Sequence, residues 1–147
     1  MTALAYVDAS ALAKLILEET GSLEMRRWYV ESERVVTSRV GVVETRRAVI
    51  RQAHDPAHLE VILRSVETVE FDAAMARAAS AIEPATLKTL DAIHLASAAA
   101  LAPELDAFVT YDDRLADAAR ALGLPVVRPA WAALKTRQVD VRSDLPA

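Results

Sequence analysis

Hydrophobic and polar residues follow two rhythms along this chain, and the rhythms take turns. Leu4-Ala5-Tyr6-Val7 is an apolar run of strand length, and Ala9 to Glu18 then repeats at a helical spacing. The same reading predicts a helix from Ser22 to Glu31, a strand over Arg34-Val35-Val36-Thr37 and a helix from Val40 to Gln52. Asp55-Pro56 opens a further helix to about Ser65, because proline's fixed φ and missing N–H suit a first helical turn. Thr68 to Phe71 is the third strand candidate, followed by a helix from Asp72 to Ile82 that stops ahead of Pro84. Thr89 to Leu101 is an unusually apolar helix and Asp106 to Thr110 a strand. Asp112 to Leu122 is a helix with Gly123 as its C-terminal cap, and Leu124 to Val127 is a last strand.

Strands separated by helices need crossover connections, which means an α/β fold with a mainly parallel sheet covered on both faces. No repeat, low-complexity stretch or Pro/Gly-rich linker divides the chain. The pattern fades at Lys135, so a single domain is expected over residues 1–135, with a polar, mobile tail over 136–147.

Composition narrows the class. The 147 residues are 53% hydrophobic with 3 glycines, which favours helix. The absence of cysteine excludes a disulfide scaffold and any thiolate metal site, and fits a reducing cytoplasm. No basic leader precedes an apolar segment and no run is long enough to span a bilayer, so no membrane association is expected.

Polar residues in apolar surroundings carry the candidate chemistry. Asp8 directly follows one buried strand, and Asp112 follows Ala107-Phe108-Val109-Thr110. Ligand sites in open parallel sheets gather at the carboxyl ends of strands. Each acid also has a hydroxyl two residues away, Ser10 and Thr110, able to orient a carboxylate or a bound water. Helix capping explains each of them equally well in isolation, since both acids open helices. Asp91, His94 and Ser97 form one polar stripe on the apolar helix that begins at Thr89. A carboxylate there needs a partner, either a cation or the helix dipole of its first turn. The stripe itself marks His94 as a core histidine bonded along it rather than a ligand.

Glu44 has Val40, Ala48 and Arg51 as helical neighbours with Arg47 alongside, and reads in isolation as a surface acid paired with an arginine. His54 and His58 have a ligand-like spacing that Asp55-Pro56 interrupts, so they read as a helix start. Arg26-Arg27 and Arg46-Arg47-Arg51 read as solvated faces, and Trp28 and Trp131 as packing residues. A net charge of −4 argues against nonspecific nucleic-acid binding, unless acids cluster around divalent cations that offset it.

Taken in order, Asp8-Ala9-Ser10-Ala11-Leu12, Glu44, Leu90-Asp91-Ala92-Ile93-His94-Leu95-Ala96 and Val109-Thr110-Tyr111-Asp112-Asp113-Arg114-Leu115 resemble a PIN domain of the VapC type. These are the ribonuclease toxins of bacterial toxin–antitoxin pairs. The resemblance spans Leu4 to Arg128. It implies a three-layer α/β/α fold and an acidic pocket of Asp8, Glu44, Asp91 and Asp112, with Thr110 and Ser10 as supporting hydroxyls. Of the adjacent Asp112 and Asp113, the family's spacing from the threonine selects Asp112 and leaves Asp113 auxiliary. It further implies RNA as substrate, a cognate antitoxin that covers the pocket, and a homodimer.

At an effective dielectric near 20, two carboxylates about 5 Å apart repel by roughly 3 kcal/mol, so such a pocket must bind cations or protons. Oxygen-only ligands favour Mg²⁺ or Mn²⁺ over zinc. Asp8 and Asp91 are the expected principal ligands, with Glu44 and Asp112 completing the shell or orienting water. Two rival readings remain. A receiver or haloacid-dehalogenase-type phosphatase is disfavoured because Asp8 lacks an acidic neighbour and Ser10 stands where that phosphatase pattern has its second Asp. A non-cleaving module that binds RNA or a partner is disfavoured by the complete acidic set.

Overall fold

The computed structural model describes residues 2–52 and 55–130. The chain runs β1 (Leu4–Val7), α1 (Ala9–Ile16), α2 (Ser22–Val30), β2 (Arg34–Ser38), α3 (Arg39–Arg51), α4 (Pro56–Ser65) and β3 (Glu67–Val69). It continues through α5 (Ala73–Ser80), α6 (Thr89–Ala99), β4 (Ala107–Val109), α7 (Asp113–Ala121) and β5 (Val126–Val127). The strands form one five-stranded sheet in the order β3-β2-β1-β4-β5, with every pairing parallel.

Alternation along the strands builds three layers. Ala5 and Val7 join Val35, Ala107 and Val109 on the face covered by α1, α2 and α4, where Leu12, Leu15, Ile16, Met25 and Leu59 are buried. Leu4 and Tyr6 join Val36 and Phe108 on the opposite face, against Leu95 and Ala98 of α6 and Leu115 and Ala119 of α7. The Tyr6 and Phe108 rings stack at 5.4 Å between neighbouring strands, worth about 0.5–1.5 kcal/mol beyond their burial. The expected α/β/α architecture is thus present. No helix among the described residues is long and apolar enough to cross a membrane.

The connections explain where a site can form. From β1 to β2 to β3 the chain steps outward with its crossover helices on one face; after β3 it returns past β1 to β4 with α5 and α6 on the other face. Right-handed crossovers force this change of face when the direction of stepping reverses. The reversal lies between β1 and β4, which stay paired to Val7 and Val109, and the helices that follow them leave to opposite faces, so a crevice opens beyond their carboxyl ends.

Some boundaries move from their sequence-based positions for local reasons. β3 ends at Val69 instead of Phe71, because its neighbour β2 ends opposite it: Ser38 pairs with Val69 and then caps α3. Glu70 and Phe71 have no strand to pair with. α1 stops at Ile16 instead of Glu18, where Leu17 turns extended and its carbonyl accepts the Ser22 hydroxyl at 2.8 Å. α6 ends at Ala99, two residues short of Leu101, ahead of Pro103. Gly123 closes α7 with φ 79°, the left-handed conformation expected of a glycine cap. His54, Trp131 and the segment 136–147 lie outside the described residues. Trp28 packs against the core as expected, and His58 is exposed on α4.

Candidate active site

The crevice is closed at its base by Asp8. Leaving β1, the chain turns into α1 with Asp8 as N-cap, its Oδ1 accepting the Ala11 N–H at 3.0 Å. The same oxygen accepts the Ser10 hydroxyl at 2.7 Å, and Oδ2 accepts the Thr110 hydroxyl at 2.6 Å. Capping and orientation by hydroxyls are therefore not alternatives here; one carboxylate does both. Asp8 is only 4% exposed. Burial pushes its pKa above the ordinary 3.8, while the Thr110 and Ser10 hydroxyls pull the other way.

The hydroxyls also join the two strand ends. Ser10 Oγ accepts the Tyr111 N–H at 2.9 Å, and Thr110 Oγ1 accepts the Asp112 N–H at 3.1 Å. Each hydroxyl has one proton and directs it at Asp8, so the 3.4 Å approach of Ser10 Oγ to Thr110 Oγ1 is a contact of two oxygens without a bridging proton.

Asp112 caps α7, its Oδ1 accepting the Arg114 and Leu115 N–H groups at 2.9 and 3.1 Å. Its side chain is exposed at the crevice mouth. Asp113 points elsewhere. It pairs with Arg128 at 2.7 Å, and Arg128 Nε donates to the Thr110 carbonyl at 3.1 Å, an outer clip over the end of β4.

Asp91 lies in the first turn of α6, half-buried, and its carboxylate accepts no hydrogen bond among the described residues. Burial raises its pKa, and the charges of Asp112 and Glu44 raise it further, against the lowering effect of His94 and Lys88. Burial is the larger cause, and the fields of Asp112 and Glu44 add to it, so the three acids act on one another electrostatically.

Glu44 corrects the reading of its isolated pattern. It does not pair with Arg47 or Arg51; its Oε1 meets His94 Nε2 at 2.6 Å, fifty residues along the chain. Arg46 instead takes Glu60 on α4. Gly41, one turn before Glu44, is the sequence signal that was overlooked: it is buried and lets α3 approach α6. His94 is a core histidine as expected, yet its partners are not on its own stripe. Nδ1 meets the Tyr6 hydroxyl at 2.7 Å, while Ser97 bonds its own helix through the Ile93 carbonyl.

Ser10, Lys14, Glu44, Arg51 and Tyr111 line a cleft of about 330 Å³ beside these acids. Lys14 pairs with Glu19 at 3.2 Å and lies 4.6 Å from the Tyr111 ring centre. A larger hollow of about 510 Å³, lined by Val69, Met75, Ile82 and Ala96, contains none of the four candidate acids.

Among the described residues, no three His, Cys, Asp or Glu side chains stand close enough to hold a metal ion. The donor chemistry nevertheless suits a hard divalent cation: every available atom is a carboxylate or hydroxyl oxygen, and Asp91 has both oxygens unengaged. The acids match such an ion in kind without forming a ready-made cage.

The family model for the PIN domain matches residues 5–121. The chain is 38% identical over 130 residues to Ribonuclease VapC47 of Mycobacterium tuberculosis, covering 84% of this chain and 96% of that protein. It is 34% identical over 126 residues to Ribonuclease VapC46 of the same organism, covering 85% and 97%. Among solved structures it is similar to VapC20 of M. tuberculosis, described as a sarcin-ricin-loop-cleaving toxin, with TM-score 0.66 and 18% identity over 85% of this chain and 99% of that one. At that identity the likeness is one of fold.

Proposed function

Since the chain belongs to the PIN-domain family, in its VapC branch, we propose that it is a Mg²⁺- or Mn²⁺-dependent endoribonuclease and the toxin of a toxin–antitoxin pair. The observation that carries this reading is the Asp91 carboxylate, half-buried, without a hydrogen-bond donor among the described residues and facing the charges of Asp112 and Glu44. A fold gains nothing from that arrangement; a cation-binding site does.

Asp8 and Asp91 are the principal metal-holding residues, and Glu44 and Asp112 complete the set. When bound there, the ion supplies a Lewis acid for the phosphate and lowers the pKa of a water. Thr110 and Ser10 keep Asp8 oriented, each donating its hydroxyl proton to one of the two carboxylate oxygens. The α7 amides hold one oxygen of Asp112. Arg51 and Lys14, on the cleft that Glu44 also lines, provide positive charge for RNA phosphates on either side of the scissile bond. The same acidic mouth suits a basic side chain of an antitoxin. The chain is proposed to act as a homodimer, and a monomer across micromolar concentrations in light scattering would refute that point.

Since no ready-made metal trio stands among the described residues, a second reading is a PIN module that binds RNA or a partner without cutting. Incubating the chain with total cellular RNA, with and without Mg²⁺ or Mn²⁺, separates the two. Discrete fragments that require both the metal and intact Asp8 and Asp91 support the nuclease. Fragments that persist with Asp8→Asn or Asp91→Asn in a nuclease-free preparation refute the mechanism, and no cleavage by a folded, metal-binding chain favours the second reading.

A further inference from the structure

We propose that His94, backed by Tyr6, is a positioning residue for Glu44, fixing one of its carboxylate oxygens and leaving the other for the acidic site. The proposal rests on the nuclease reading for its consequence, but the contact itself is independent of it.

Three elements of the fold meet in one polar line. Tyr6 comes from β1, His94 from α6 and Glu44 from α3, joined at 2.7 Å and 2.6 Å through the two ring nitrogens of His94. Tyr6 and His94 are 0% and 2% exposed, whereas the Glu44 side chain is 28% exposed. The line therefore runs from the interior to the crevice and ends on a carboxylate. Glu44 Oε2 accepts no hydrogen bond among the described residues, so only one oxygen is occupied by this anchor.

Proton placement follows from the chemistry of the ends. An ionised carboxylate only accepts, so the proton on the Glu44 side belongs to His94 Nε2. In the neutral imidazole Nδ1 is then an acceptor, and the Tyr6 hydroxyl donates to it. The phenol carries one proton, and Nδ1 stands 2.7 Å from it. The histidine is thus held in one tautomer from behind and presents N–H in front, the arrangement by which outer residues orient a metal-binding side chain.

The surroundings are shaped for this ring. A Cβ on Gly41 would stand 3.2 Å from His94 Cε1 and 2.4 Å from Thr37 Oγ1, so any larger residue there would press on the imidazole or on the threonine that bonds the Val7 carbonyl. Tyr6 cannot drift, because it stacks on Phe108 and meets His94 edge-on at 5.8 Å. Glu44 is a long, rotamer-rich side chain on a helix surface, and pinning one oxygen removes most of the freedom it would otherwise lose on binding a cation.

The test uses the full chain and four variants: His94→Leu, His94→Gln, Glu44→Ala and the double variant His94→Leu/Glu44→Ala. Glutamine can return an N–H near the Nε2 position; leucine cannot. The dissociation constant for Mn²⁺, read by electron paramagnetic resonance, and the rate of RNA cleavage are measured together. For His94→Leu the expected loss in Mn²⁺ affinity or rate is about ten- to a hundredfold, with much of it restored in His94→Gln. In the Glu44→Ala background His94→Leu has no further effect, because a residue acting only through Glu44 has nothing left to position. Equal losses in both backgrounds would show that His94 only fills the core and would overturn the proposal. Imidazole ¹⁵N spectra of the metal-free chain read the contact without cleavage: a single Nε2–H tautomer that becomes averaged in Glu44→Ala is expected. An averaged tautomer in the parent chain overturns the proposal whether or not the chain cuts RNA. A fixed tautomer in a chain that neither binds Mn²⁺ nor cleaves removes the nuclease reading and leaves the positioning contact standing.

Discussion

Replacing Thr110 with valine removes one oxygen from the base of the crevice and almost nothing else. Thr110 is 0% exposed, and valine matches its shape. The lost hydroxyl is the donor to Asp8 Oδ2 at 2.6 Å and the acceptor of the Asp112 N–H at 3.1 Å. A hydrogen bond to a charged group is worth about 1.5–3 kcal/mol, and a backbone N–H left with a methyl neighbour adds on the order of 1 kcal/mol in a half-buried site. The expected loss at neutral pH is therefore about 2–4 kcal/mol, a large share of a typical domain's 5–15 kcal/mol. The pH dependence has a definite sign. Asp8 has a raised pKa in the fold, so the native state holds its proton more tightly than the unfolded chain and stability falls as pH rises from the ordinary value of 3.8 through the folded one. Thr110 moderates that fall by bonding the ionised form. Urea unfolding of metal-free protein at about pH 4 and about pH 7.5 should give a larger difference between parent and Thr110→Val at the neutral end than at the acid end. An equal loss at both would mean that the threonine serves packing and not the charge of Asp8.

Asp91→Asn removes a charge that faces Asp112 and Glu44, so in the presence of a chelator it should leave the fold equally or slightly more stable, by under about 1 kcal/mol at this half-exposed site, while abolishing metal-dependent cleavage. Thermal unfolding in EDTA checks the first half, and a clear drop in midpoint would count against the repulsion. Mn²⁺ at about a hundred times its dissociation constant should stabilise the parent by about 2.7 kcal/mol and Asp91→Asn far less, read as a concentration-dependent shift in midpoint. Gly41→Ala should cost about 1–3 kcal/mol, because the new Cβ stands 2.4 Å from Thr37 Oγ1 in a packed interior. A neutral result in denaturant would show that α3 shifts freely away from α6.

The layers of the fold were legible because strand and helix periods differ and because β1 alternates cleanly, Leu4 and Tyr6 to one face, Ala5 and Val7 to the other. Asp8 and Asp112 were legible for a related reason: a parallel sheet delivers its strand ends to one side, so an acid immediately after a buried strand has few places to go. The hydroxyl neighbours Ser10 and Thr110 needed only local spacing to find. The end of β3 was not legible, because it is set by where β2 stops and not by Glu70 or Phe71 themselves.

Glu44 failed for a different reason, one that bears on the chemistry. Helical spacing shows which residues share a face of one helix, and on that evidence Arg47 and Arg51 were the natural partners. The partner in fact comes from α6, reached because Gly41 thins the surface of α3 where the two helices approach. Gly41 stands in the first turn of α3, buried and one turn before a lone acid, and that placement is itself information. The same holds for His94, whose stripe suggested bonds along α6 although its two nitrogens reach across to β1 and α3. Polar residues that serve a site are satisfied between elements, whereas pattern within one element predicts only what that element does by itself. Thus the acid that looked most ordinary is tied to the core after all, through a histidine and a tyrosine whose bonds run between elements.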